Sequence, residues 1–245
     1  KEDIVFEKVK AILEKHGDTV VTVVKELKNL GLSDADIFNP YNNYPDLHLI
    51  TNMFDSERYQ IIKENIMDSK YGFSFDTLFS LAKNKKSFQY EKEVKQIMRY
   101  ISGSQKEQDF KNGDKSILGR IRKICSESNS RQCLTQLWFL PVQNINEISI
   151  CLKNVMEEDD ILNNYEIMII NSKLERKITD IKAEILKTEK IAQATGKLGI
   201  IILAGSMLTL GITLAHCDIV MLMNNTLSSD KVMQMMYRCM SESYK

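Results

Sequence analysis

The chain has 245 residues, with 33 Lys+Arg against 33 Asp+Glu, 43% hydrophobic and 27% charged. That length suffices for one large core or two small ones, and the zero net charge excludes a globally basic nucleic-acid binder, so any such surface must be local. The five cysteines (Cys125, Cys133, Cys151, Cys217, Cys239) are odd in number and form no CxxC pair, which argues against a disulfide framework or a zinc site and for a reducing compartment.

Residues 3–15 put Ile4, Val5, Val9, Ile12 and Leu13 on one helical face. Lys1-Glu2-Asp3 leads straight into that pattern and does not read as a secretory signal. A second helix is expected from Asp18, as its cap, to Leu30, with Gly31 as its stop. Asn39 to Asn43 reads as a loop, and Pro45 to Thr51 as a short strand. From Asp55 to Arg99 the pattern is mainly helical and mixes basic with aromatic residues: Lys83, Lys85, Lys86, Phe88, Tyr90, Lys92, Lys95, Arg99 and Tyr100. Such a mix suits a single-strand groove through phosphate neutralisation and base stacking, or else a solvated helix face. Ser116 to Cys125 reads as a short basic helix.

The texture changes near Arg131, where a boundary is expected. Leu134 to Leu140 is a buried strand ended by Pro141, and Asn144 to Met156 a helix with a capping-box spacing of Asn144 to Glu147. Glu157-Glu158-Asp159-Asp160 follows a helix rather than a buried strand, so it reads as a solvated loop and not as a magnesium-binding acid box. Tyr165 to Ile170 is a strand. Ser172 and Glu175 cap a helix that buries Leu174, Ile178, Ile181 and Ile185 and ends at Gly196. Ile200 to Ala204 and Asp218 to Met223 are strands, and a last helix runs from about Ser229 to Ser241. The apolar run from Leu198 to Met223 has the length of a membrane span, but its glycines, His216 and Asp218 fit strand, turn and strand better. His216-Cys217-Asp218 invites a nucleophile reading, although adjacent residues on a strand point in alternating directions. Strands alternating with amphipathic helices predict an α/β fold: a parallel sheet with helices on both faces, preceded by a mainly α-helical segment. Ligands in such sheets bind at the carboxyl ends of strands, here Pro141, Asn171-Ser172-Lys173, Gly205-Ser206 and Asn224-Asn225.

Two stretches near these ends carry the most information. In Leu203 to Asn224, small residues end a strand and Gly211 permits a close backbone approach; a tight crossover in any α/β fold explains the same residues. Gln234 and Arg238 are spaced to share a helical face and together to reach a phosphate; taken alone, a solvated arginine on an amphipathic helix explains them better. Taken together, the stretches resemble motifs V and VI of superfamily 2 helicases. Leu210-Gly-Ile-Thr-Leu-x-x-x-Asp-x-Val is similar to motif V of Snf2-type translocases, and Gln234 with Arg238 is similar to motif VI. Asn225 to Ser229 before Gln234 most resembles helicases of large cytoplasmic DNA viruses, relatives of the small subunit of the poxvirus early transcription factor. The resemblance covers about 135 to 245 and is specific over about 200 to 242.

The resemblance implies a RecA-like C-terminal helicase domain over 131–245, a helical insertion over 55–130, and the end of a first RecA-like domain, or a linker from it, over 1–54. It implies that Gly211, Gln234 and Arg238 face ATP across an interdomain cleft, with Arg238 stabilising transition-state charge. Asn171, Ser172, Lys173, Ser206 and Thr209 would lie along the nucleic-acid groove. ATP and Mg2+ would be held mainly by the first RecA-like domain of the same protein. Partners would be DNA or RNA and a viral RNA polymerase or second transcription-factor subunit, without a membrane, in host cytoplasm or virion. Ser241 stands where the motif has a second arginine, and no Gly-x-x-x-x-Gly-Lys-[Ser/Thr] occurs. The chain therefore reads as a fragment, inactive alone. Two other classes stay open: a degenerate RecA-like module that recruits a transcription or replication partner, and an unrelated α/β enzyme with a pocket at Gly205 and Asn224.

Overall fold

The computed structural model describes residues 10, 11, 15, 20–34, 37, 47–50, 73–104, 116–127, 133–171, 178–205, 208, 214 and 217–240. They fall into two compact units, 1–46 with 242–245 and 47–241. In the first, helix α1 (Val20–Asn29) buries Val23 and Leu27 against Leu32 and Ile37. Gly31 stops it with φ +84°, the left-handed conformation glycine adopts without steric cost.

The second unit holds α2 (Phe75–Leu78), α3 (Glu91–Ser102), α4 (Ile117–Glu127), β1 (Leu134–Phe139), α5 (Ile145–Glu157), β2 (Tyr165–Ile170), α6 (Ile178–Ala194), β3 (Gly199–Ala204), β4 (Ile219–Leu222) and α7 (Ser229–Met236). The strands form one parallel sheet in the order β2-β3-β1-β4. Period-two alternation splits its side chains between two cores. Trp138, Ile201, Leu203, Tyr165 and Ile167 face α3, α4 and α5. Leu137, Phe139, Ile200, Ile202, Met168 and Ile170 face α6 and α7. Burying both faces is why the strands read as unbroken apolar runs. Each fully buried large apolar side chain contributes about 1.5–3 kcal/mol. The fold is therefore α/β, a parallel sheet covered on both faces, consistent with a RecA-like arrangement.

Strand order reverses direction once. The β1–α5–β2 crossover steps past β3, and β2–α6–β3 steps back. Constant crossover handedness through such a reversal requires α5 and α6 on opposite faces, as found. The β3–β4 connection continues in the second direction, and its Leu208 and Leu214 are buried on the α6 face.

Several expectations are corrected. The helical stretch before Arg131 shares one core with the sheet: Leu78, Phe79, Phe88, Val94, Met98, Ile101 and Leu118 pack with Trp138 and Leu152. Residues 47–50 carry no strand. Residues 73–90 form α2 and a narrow hairpin bridged at Leu81 and Phe88 rather than a continuous helix. Asn144 lies in the left-handed region and makes no side-chain cap, so the expected capping box is not formed. The Ser172–Glu175 box and Leu174 lie outside the described residues.

Asp159 is buried rather than solvated. Its carboxylate accepts from the Ser102 and Ser104 hydroxyls and from the Ile161 and Leu162 amides at 3.0 and 2.9 Å. It thereby ties the end of α3 to the turn before β2. Among the described residues, no helix is long and apolar enough to cross a membrane, and β3 and β4 occupy part of the Leu198–Met223 run.

Candidate functional site

Parallel register brings all four strand exits to one edge. Phe139 is level with Ala204 and Leu222, and Ile170 with Ala204. The Leu140 amide donates to the Ala204 carbonyl at 2.9 Å, and the Met223 amide to the Phe139 carbonyl at 2.8 Å. Leu140-Pro141, Asn171, Gly205 and Asn224-Asn225 thus meet at the carboxyl edge, as the sequence predicts. Gly205 passes close to α5: a Cβ there would lie 3.2 Å from the Ile145 Cγ1 atom.

The 73–88 segment is fastened to this edge. Asn225 Oδ1 accepts from the Phe75 amide at 3.0 Å, and Asn225 Nδ2 donates to Ser74 Oγ at 2.6 Å. Ser74 Oγ also caps α2 by accepting from the Thr77 amide. The hairpin closes through Ala82 amide to Ser87 carbonyl at 2.9 Å and Gln89 amide to Ser80 carbonyl at 2.8 Å. At its tip Asn84 Oδ1 accepts from the Lys86 amide at 2.9 Å, and Lys85 takes φ +55°. Between hairpin and β1 exit lies a cavity of about 380 Å³, with Asp76, Leu81, Lys83 and Lys85 on one side and Gln143 and Asn144 on the other. Lys83 and Lys85 are exposed and form no ion pair among the described residues. Two other members of the basic–aromatic mix are engaged: Phe88 is core, and Lys95 bridges Glu91 and Glu158, both at 2.9 Å.

The residues implied by the resemblance are distributed less evenly. Asn171 is buried at the β2 exit. Ser172, Lys173, Ser206, Thr209 and Gly211 lie outside the described residues. Gln234 is exposed on α7. Arg238 sits in a 3-10 turn, Tyr237–Met240, that follows α7. The α-helix ends at Met236 and continues directly into that turn; Gln234 is exposed, whereas Arg238 is half-buried. Burial lowers the Arg238 pKa, with Cys217 opposing. The Tyr237–Met240 turn packs beside β4, and Arg238 and Cys217 are near enough to influence each other's charge. Met235 still touches Asn224, with Nδ2 to Sδ at 3.6 Å, but Arg238 is a turn further on.

Burial pushes the Cys217 thiol well above its usual range, with Cys239 and Asp218 adding to the shift. It is held as a neutral thiol donating to the Ile219 carbonyl, which opposes a nucleophilic role. Asp218 accepts from the Thr135 amide at 2.7 Å and serves the sheet. Among the described residues no group of three or more His, Cys, Asp and Glu is able to hold a metal ion. Asp76 is the one carboxylate lining the cavity. The described residues therefore do not fit the oxygen-rich shell of Mg2+, nor do they form a glycine-rich phosphate cradle.

The hairpin and its cavity were not legible in the sequence. The partner that fastens them, Asn225, is 150 positions from Phe75; the available signal was the polar Asn84-Lys85-Lys86 tip after an apolar Leu81-Ala82. Comparison of the chain with protein-family models, with curated proteins and with solved structures finds no match.

Proposed function

We propose that the chain is the C-terminal RecA-like part of a nucleic-acid-dependent ATPase of the superfamily 2 helicase or translocase type, acting in viral transcription. The observation that carries this reading is the position of the two motif-like segments in an all-parallel sheet. One joins the β3 exit to the β4 entrance, and the other follows β4 directly. In this reading the nucleotide and Mg2+ are held by another RecA-like domain. DNA or RNA runs along the carboxyl edge, past Asn171 and the segments that contain Ser172, Lys173, Ser206 and Thr209. Gly211, Gln234 and Arg238 serve the nucleotide cleft, and a viral polymerase or transcription-factor subunit is the protein partner.

A second reading, a degenerate RecA-like module that recruits a transcription or replication partner, is favoured by one feature. Arg238 is half-buried rather than open to solvent, with Ser241 in place of a second arginine. ATP hydrolysis by a polypeptide that joins this chain to its nucleotide-binding domain separates the two. The first reading expects Arg238→Ala to lower a nucleic-acid-stimulated rate at least about tenfold, roughly 1.4 kcal/mol of barrier. An unchanged rate removes Arg238 from catalysis and favours the second.

A further inference from the structure

We propose that the 81–88 hairpin and the β1 exit bind the phosphate backbone of a single nucleic-acid strand, with Lys83 and Lys85 as its cationic contacts. The cavity lies on the α5 side of the sheet's carboxyl edge, walled by the hairpin and by Pro141, Gln143 and Asn144 of the β1–α5 turn. β1 leaves through α5 to one face, while its neighbours β3 and β4 leave to the other, towards Leu208 and α7. An open α/β sheet binds ligands where adjacent strands depart to opposite faces. The cavity beside β1 is about 380 Å³, near the lower end of small-ligand sites, and so accepts one nucleotide unit rather than a duplex.

Charge selects the ligand. Lys83 and Lys85 outnumber Asp76 around the cavity, and neither is neutralised by a carboxylate among the described residues. Lys95, on the neighbouring helix, is already bound by Glu91 and Glu158. In a chain of zero net charge, this is a local cationic patch at the ligand-binding edge. Half-buried Leu81 and Ala82 provide apolar surface for sugar and base beside the two cations. The lysines stand on an exposed hairpin and do not enclose a phosphate, which favours a strand running past over a trapped free nucleotide. The assignment rests on the proposed function only in taking nucleic acid as the partner.

The test is fluorescence anisotropy with labelled oligothymidylate and oligouridylate across a salt series. Wild type is compared with Lys83→Gln/Lys85→Gln and with Lys187→Gln/Lys190→Gln, an equal charge change on exposed positions of α6 on the other face. Losing two phosphate contacts should weaken binding about tenfold or more and flatten the log–log salt slope by about 1.4, at ~0.7 per contact on a single strand. The α6 variant should bind as wild type does, and free nucleoside monophosphate should not compete at comparable concentration. Equal losses in both variants, or full binding by the hairpin variant, overturn the proposal. Competition by free nucleotide at equal concentration overturns the strand assignment in favour of a nucleotide pocket. Absence of binding by wild type overturns this inference together with the nucleic-acid part of the proposed function. A nucleic-acid-stimulated ATPase that ignores the hairpin substitutions overturns this inference alone.

Discussion

Asp159 does more for the fold than its acidic neighbours. Glu158 and Asp160 are exposed, but Asp159 satisfies two hydroxyls and two amides at once. Replacement by alanine leaves those donors without their acceptor, and unsatisfied buried polar groups cost about 1–3 kcal/mol each. Asp159→Ala should therefore lose on the order of 2–4 kcal/mol in urea unfolding. A loss under about 0.5 kcal/mol would show that the clamp is incidental. The acidic run was misread because the deciding partners, Ser102 and Ser104, are 57 and 55 positions away. Local sequence shows a charged loop; only tertiary contact shows which carboxylate turns inward. Cys217 gives a second prediction at this scale. Its folded pKa lies above its unfolded value because burial disfavours the thiolate. Above about pH 8.5 the unfolded thiol loses its proton first, so the unfolded state binds fewer protons and stability falls as pH rises. Unfolding free energy should decline from about pH 8 to about pH 10, and Cys217→Ala should flatten the decline, leaving the smaller contributions of Cys151, Cys239 and Tyr165, which are also raised by burial. A slope unchanged in Cys217→Ala would remove Cys217 as the cause.

The strands were the most legible elements. Leu134–Phe139 and Gly199–Ala204 are buried at every position, and β2 runs over the same Tyr165–Ile170 that its apolar run predicts. Continuous apolar runs are what two covered faces require, so sequence and sheet agree. Helix ends were less legible, because caps depend on backbone conformation: Asn144 looks like a cap but takes φ +55° and makes no cap bond. The change from α-helix to 3-10 turn at Tyr237 was also hidden. The hairpin was hidden for want of its remote Asn225 anchor. Asn225→Ala removes both bonds to the 74–75 turn and should cost about 1–2 kcal/mol in denaturant unfolding, the scale of two lost hydrogen bonds. No loss would mean that Phe79 and Phe88, in the core beneath, hold the hairpin unaided. Gly199 tests the sheet itself. A Cβ there would overlap the Leu134 carbonyl oxygen across the β1–β3 pair. Gly199→Ala should cost about 2–3 kcal/mol, the range for forced backbone shifts in a packed core; a stability equal to wild type would contradict this pairing.

At the scale of the molecule, a parallel sheet gathers four strand exits at one edge, and the hairpin and the β1–α5 turn enclose a cavity beside β1. The sequence pointed to that edge. It did not show that the helical stretch before β1 belongs to the same core and lends the edge its lysines. Nor did it show that Arg238 is half-buried. We propose that this sheet completes a nucleic-acid-driven ATPase. The most direct measurement is steady-state ATP hydrolysis by the polypeptide that joins this chain to its nucleotide-binding domain, with and without single-stranded and double-stranded DNA and RNA. Nucleic acid is expected to raise hydrolysis at least about tenfold, and deletion of residues 131–245 to abolish it. Hydrolysis indifferent to both nucleic acid and that deletion, or no hydrolysis at all, would contradict it.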